Sequence, residues 1–487
     1  MALDLYQKKT FCNPLSMPNC PHGTDGPMKD ADGYLYDYRS ISDPSVLYYG
    51  DKWYLYPSYD MAYVSEDFVT WKYVPCTPEE ADDSPRYSPC VIPWRGKFLM
   101  TIHSERLYVG DTPTGPFRLL GDFILPDGTH FRPTDPALFA DDDGRIYMYW
   151  HDSRTHPTRG VWSSLTRGAE LDADNPRRLL GEPRILNEFD PSHAWERFGE
   201  YNQNTEMGWI EGQWMLKHNG RYYLIYAACG TQFGAYAMGA YYSDAGPLEG
   251  FVYQKNNPVT FHKTGLVKGA GHGCIEHGPG GSLWAFYTCT MCYAHCFERR
   301  IGMDRIEIDA NGELYCPGIT DTPQYGATES KRGSTGLLPL TFSQRAKVRS
   351  TSHTEGRDSL YALDESMLTW WQPAVEDAVP VLTVNLEAPY ELEASRIIWR
   401  DIGLSYEKGV YPGAFRYKIE AGNDGGGTEW RCILDMTGNR EDYNIDYKTF
   451  PPVTASAVRL VITGAPKGVC PGVVSFTVFG KRISINQ

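Results

Sequence analysis

DPALFADDDGRIYMYW, residues Asp135–Trp150, reads as a short apolar strand, a Gly-containing turn and a second strand rich in aromatic residues. The same unit recurs as DPSVLYYGDKWYLY from Asp43, SPCVIPWRGKFLMT from Ser88, EGQWMLKHNGRYYLIY from Glu211 and HGCIEHGPGGSLWAFY from His272. The turn glycine falls seven residues after the opening residue in the first copy (Gly50), eight in the second (Gly96) and nine in the other three (Gly144, Gly220, Gly281). A β-hairpin repeated at intervals of about 45 residues or more is the mark of a propeller. Five copies predict five blades. The first strand of each hairpin starts beside the axis, so Asp43, Ser88, Asp135, Glu211 and His272 are expected to meet at one end of it. Three carboxylates, a serine and a histidine in one place suit a glycosidase centre.

Working outward, each hairpin is followed by further strand-like sequence: 62–74, 107–120, 160–171, 239–253 and 300–309. These are expected to be the outer strands of four-stranded blades. An insertion, NEFDPSHAWERFGEYNQNTEMGW (Asn187–Trp209), precedes Glu211 and is expected at the mouth of the axial channel. Residues 318–336 are rich in Gly, Thr and Ser and read as a linker or an edge. Beyond about Leu337 the blade pattern is gone. LTVNLEAPYEL from Leu382, ASRIIWRDIG from Ala394, FRYKIEAGN from Phe415 and VVSFTVFG from Val473 alternate at period two, as in a β-sandwich. The expected fold is all-β, with a catalytic propeller over 1–325 and an accessory sandwich over 326–487.

Composition narrows the partners. A formal net charge of −15 repels nucleic acid and anionic membranes, and argues against a polyanionic substrate. An uncharged oligosaccharide or a polysaccharide side chain fits better. The start, MALDLYQKKTFCNPL, has no apolar signal region, and no run of about 18 apolar residues follows. The chain as it stands is expected to be cytoplasmic, or secreted or periplasmic if a leader has been trimmed. Twelve cysteines lack a framework spacing and read as free thiols. Cys289, Cys292, His295 and Cys296 approach a zinc spacing, but they overlap a blade strand and have no second ligand pair.

The propeller copies resemble glycoside hydrolase family 43, a five-bladed family of inverting enzymes. The resemblance covers about residues 10–320. It implies that Asp43, in Asp43-Pro44, is the general base. It implies that Asp135, in Asp135-Pro136, tunes and orients the acid, and that Glu211, in Ile210-Glu211-Gly212, is the general acid. Gly271-His272-Gly273 resembles the fifth-blade motif, whose histidine sits near the axis, often beside calcium or a water cluster. The stretch Glu211–Phe251 resembles a branch whose activities include removal of terminal arabinofuranose and galactofuranose. The sandwich resembles the discoidin-like, galactose-binding fold at Ala362-Leu363-Asp364, Thr369-Trp370-Trp371 and Val458-Arg459-Leu460. Such domains bind carbohydrate in many proteins and only buttress the catalytic domain in others.

Inverting hydrolysis needs one carboxyl group protonated and another ionised, about 6.5–9.5 Å apart, with water between. Asp43 and Glu211 lie on different blades, and Asp135 is placed to raise the pKa of Glu211 by like-charge repulsion. No cofactor is required. His272 either coordinates a structural Ca²⁺ on the axis or hydrogen-bonds without metal. Arg300 is expected at the sugar or the base, with a surface ion pair as the alternative. Trp209, Trp150 and Tyr59 offer faces on which sugars stack, although Trp150 and Tyr59 equally suit packing between blades. Ser88 reads as a backbone-satisfying hydroxyl. Glu200 and Glu206 are competing acids, but neither heads a hairpin.

Overall fold

The structure, a computed structural model, describes residues 9–23, 28–29, 35–79, 86–104, 106–291, 295–342, 346–423 and 429–483. Among them the chain is strand and turn, with three short 3₁₀ segments at Ala194–Glu196, Pro279–Gly281 and Ser359–Ala362. Five four-stranded antiparallel sheets follow one another along the chain. Their first strands are Ser45–Tyr49, Cys90–Trp94, Thr134–Ala140, Glu211–His218 and Gly271–His277. Each first strand touches the first strand of the next sheet, and the fifth touches the first. The ring is closed, and the five-bladed propeller is present. Its second strands are packed between neighbouring blades on both faces; Leu283–Thr290 is buried at every position. A strand covered on both faces has no solvent side for polar residues, so it reads as a continuous aromatic run rather than an alternation. Blade 1 is joined to blade 5 by Phe68, whose ring meets Trp284 at 5.7 Å and Phe286 at 5.0 Å, both edge-on.

The chain divides into two compact units: Ile41–Thr290 with Arg299–Ile319, and Met1–Ser40 with Met291–Glu298 and Thr320–Gln487. The expected division at 325/326 therefore moves to 319/320, and residues up to Ser40 together with Met291–Glu298 cluster with the sandwich. Polar contacts within that unit explain it. Thr10–Phe11 pairs with Gln324–Tyr325. The buried Arg39 guanidinium meets Asp401 at 3.0 Å and also Asp442, and Arg396 donates to the Asn13 carbonyl. Period-two reading has no means of seeing such pairings across hundreds of residues.

The second unit is a β-sandwich built on two long strands, Val381–Ile402 and Ile445–Gly464. Val381–Ile402 pairs through Leu386 with Ala346–Ser350 and from Tyr390 onward with Cys470–Arg482, with a break in register between. Trp371, Trp399, Tyr417, Leu460 and Phe476 fill the core. The Thr369-Trp370-Trp371 stretch is thus structural: Trp371 is fully buried, and Trp370 lies between the Arg357 and Arg400 guanidiniums, each 3.4 Å from its ring centroid.

Candidate active site

The centre is built by backbone that side chains seldom tolerate. Asp43, Ser88, Asp135 and His272 hold φ of 51°, 49°, 48° and 29°. This left-handed turn at the head of each inner strand aims the side chain at the axis, and in blades 3, 4 and 5 it coincides with a register shift in the ladder. In blade 4 the residue in this state is Gly212, at 63°, not Glu211. Register agrees: Thr134 lies opposite His151 as Glu211 lies opposite Ala227, which matches Gly212 to Asp135. The expectation that Glu211 opens its copy in step with the others is corrected by one residue. The cause is space, because a Cβ on Gly212 would fall 2.7 Å from the His272 ring. Glu211 reaches the centre from the preceding position.

Three opening residues, and the residue before Glu211, are held from the previous blade by a polar residue on or just past its second strand. Thr288 accepts the Asp43 N–H at 2.9 Å, and Ser58 accepts the Ser88 N–H at 3.2 Å. His103 Nδ1 donates to Asp135 at 2.7 Å. His151 donates to the Ile210 carbonyl, just before Glu211, and Ser164 clamps both the N–H and the C=O of Ile210. Ala227 is the counterpart in blade 4 and has no polar group to offer.

The carboxyl groups are driven apart in charge. Burial pushes the Asp43 carboxyl up, but Arg299, His272 and the hydroxyls of Ser58 and Ser42 outweigh it and hold it below the usual range. The Arg299 guanidinium stands 3.3 Å from Asp43, and the two hydroxyls donate at 2.6 and 2.8 Å. Glu211 moves the opposite way. Burial raises its pKa and Asp135 adds to this, against His272 and two donors, Tyr236 O–H and Trp209 N–H, each at 2.6 Å. For Asp135, burial is outweighed by His103, with His272 and His151 assisting, and the carboxyl stays ionised. The His103 pKa is raised in turn: burial lowers it, but Asp135, Glu211 and Asp43 prevail. His272 stands between the acids, with Nδ1 3.5 Å from Asp43 and Nε2 3.2 Å from Ser88 Oγ. One ring nitrogen of His272 and one oxygen each from Asp135 and Glu211 lie within 4.8 Å of one another.

Those three are, among the described residues, the donor group compact enough for a metal. They fit Ca²⁺ poorly. Calcium takes six to eight oxygen ligands, whereas here one donor is an imidazole and both carboxylates already accept hydrogen bonds. A cation on Glu211 would also hold it ionised. Of the zinc-like cluster, Cys292 lies outside the described residues. His295 Nδ1 accepts the Phe297 N–H at 2.9 Å, and its ring stacks on Tyr38 at 4.3 Å.

Other expected residues are placed differently. Arg299, not Arg300, meets Asp43. Neighbours on a strand point to opposite faces, and Arg300 instead donates to the Arg299 carbonyl at 2.8 Å. Trp150 is buried and packs on Phe131 at 5.7 Å, a packing role. Tyr59 is buried against Tyr87 at 5.8 Å; burial lowers the pKa of Arg299, and Asp43 first, then these two tyrosines, raise it. Trp209 is at the site, as the donor to Glu211. Glu206 is exposed, and Glu200 accepts the Gly234 N–H at 2.7 Å. His103, Tyr236, Thr288 and Ser58 were not singled out from sequence. The signal for three of them was there: a polar residue follows within two positions of the end of four of the five copies, as Ser58, His103, His151 and Thr288.

This arrangement displaces two carboxyl groups in opposite directions, Asp43 toward the ionised form and Glu211 toward the protonated one, on different blades around one imidazole. The model of glycosyl hydrolases family 43 matches residues 39–314, and the F5/8 type C domain model matches residues 346–473. A β-xylosidase of Xylanibacter ruminicola is 24% identical over 345 residues, 58% of this chain and 98% of that protein. A β-D-galactofuranosidase of Aspergillus niger is 25% identical over 212 residues, 43% of this chain and 53% of that one. The crystal structure of a thermostable family-43 glycoside hydrolase has the same fold, with TM-score 0.52 at 22% identity, covering 66% of this chain and 100% of that one. The family model spans more than half the chain, over the residues that close into the ring, and the chain belongs to family 43 of the glycoside hydrolases.

Proposed function

We propose that the enzyme is an inverting, exo-acting glycosidase that releases terminal furanosyl residues, α-L-arabinofuranose or β-D-galactofuranose, from an oligosaccharide or a side chain. Asp43 is the base: its carboxylate takes a proton from water as that water attacks the anomeric carbon. Glu211 is the acid and gives its proton to the departing oxygen. Asp135 keeps Glu211 protonated by repulsion, while His103 keeps Asp135 ionised. The opposite pKa displacements of Asp43 and Glu211 in one ring are the observation that carries this reading. The galactofuranosidase name of one relative supports the furanoside. A β-xylosidase is the second reading, favoured by relatives named β-xylosidase and xylosidase/arabinosidase.

The test is a panel of p-nitrophenyl α-L-arabinofuranoside, β-D-galactofuranoside, β-D-xyloside and α-L-arabinopyranoside, with Glu211→Ala in parallel. A furanoside signal lost in the variant supports the first reading. A xyloside signal lost in the variant keeps the mechanism and changes the sugar. Silence across the panel and on oligosaccharides leaves a carbohydrate-binding propeller.

A further inference from the structure

Trp209 does more than hydrogen-bond to Glu211. Its indole stacks with the His151 ring at 5.3 Å and 23°, and with the Trp162 indole at 5.6 Å and 22°. His151 lies opposite Thr166 and Trp162 opposite Thr155, four rungs apart on one ladder, a distance of about 13 Å. Trp209 therefore links the two rings in one stacked series, His151, Trp209 and Trp162. The column runs from buried His151 through half-buried Trp209 to Trp162, which is 36% exposed. It rises at the active end of the propeller. Thr134, next to Asp135, is level with His151, and the ladder continues four rungs beyond.

We propose that Trp162 is the platform on which the leaving-group sugar rests, and that Trp209 is a positioning residue tying this platform to the acid. This rests on the reading of Glu211 as proton donor. The acid protonates the bridging oxygen, so the departing sugar lies on the acid's side of the scissile bond. Trp162 is an open ring joined to the Glu211 carboxyl through one indole. A sugar presents a C–H face that an indole desolvates well. A substrate whose leaving group carries a sugar ring is held by Trp162, and one without a ring is not.

The experiment uses the full chain and, for whichever sugar it turns over, compares kcat/KM on a disaccharide and on the glycosyl fluoride, whose leaving group has no ring. Trp162→Ala lowers the disaccharide-to-fluoride ratio by up to about tenfold, the size of one ring contact, and Trp162→Tyr recovers most of it. An equal fall on both substrates, or no fall, overturns the platform. Trp209→Phe keeps the stack and removes the N–H that favours ionised Glu211, so the alkaline limb of kcat/KM moves to higher pH. An unmoved limb overturns the positioning role. A wild type inactive on every disaccharide and fluoride tested overturns the glycosidase reading itself; an active wild type with an unchanged ratio in Trp162→Ala overturns the platform alone.

Discussion

Gly212 and His272 touch at the propeller axis: a Cβ on Gly212 would fall 2.7 Å from two carbons of the His272 ring. Four side chains converge there, and the fifth position has to be empty. Gly212→Ala adds a methyl to a left-handed residue, at a cost of about 1–2 kcal/mol for the backbone alone, and displaces a histidine that stands by both Asp43 and Ser88. We expect a melting temperature lower by several degrees, measured by calorimetry, and a loss of kcat/KM larger than that loss of stability would explain.

Glu211→Gln removes the acid. The expected fall in kcat is about 10²–10⁴-fold, and the alkaline limb of the pH profile vanishes. Stability moves the other way. The folded pKa of Glu211 is raised, so its contribution is present at pH below the unfolded glutamate pKa and is lost as pH rises through the folded value. Above that value the wild type carries a buried charge that the variant lacks. Thermal melts across pH should show the variant gaining on the wild type at the alkaline end and the gap closing toward acid.

Asp135→Asn takes the like charge away from Glu211. The pKa of Glu211 falls, and the alkaline limb of kcat/KM moves to lower pH. His103 loses its main anionic partner, so its own pKa falls as well, which NMR titration of the His103 ring would register. A limb that stays in place would mean that burial alone sets the acid.

Arg299→Gln leaves Asp43 without its guanidinium. The carboxyl titrates at higher pH, so the acidic limb of kcat/KM moves up. The lowered folded pKa of Asp43 contributes stability above the unfolded aspartate pKa, lost as pH falls through the folded value. Breaking a buried pair of this kind costs about 3–5 kcal/mol at neutral pH, which denaturant titration would measure. Arg300→Gln should leave the acidic limb in place.

The repeat was legible because a hairpin, its turn glycine and its aromatic second strand are local features, and five copies reinforce one another. Asp43, Asp135 and His272 followed from their places at the head of each copy. What could not be read was parity and register. Counting back from Gly220 aligns Glu211 with Asp135, and only the ladder Glu211–Ala227 places Gly212 there. Arg299 and Arg300 are adjacent, and which faces Asp43 depends on a pairing that neither residue encodes. His103 sits two residues beyond the end of its copy. The N-terminal forty residues cluster with the sandwich through charges such as Arg39 and Asp401, a contact between positions far apart in the chain.

Thr288, Ser58, His103 and His151 each reach from one blade to the catalytic segment of the next. The reaction centre is therefore an arch rather than a set of independent posts: these catalytic segments are held in place only once the neighbouring blade has docked. At the Ala227 joint, where no such hand is offered, Gly212 and His272 press together as a keystone does. Activity should then return in a refolding experiment only with the last blade to close, in one step rather than in fifths.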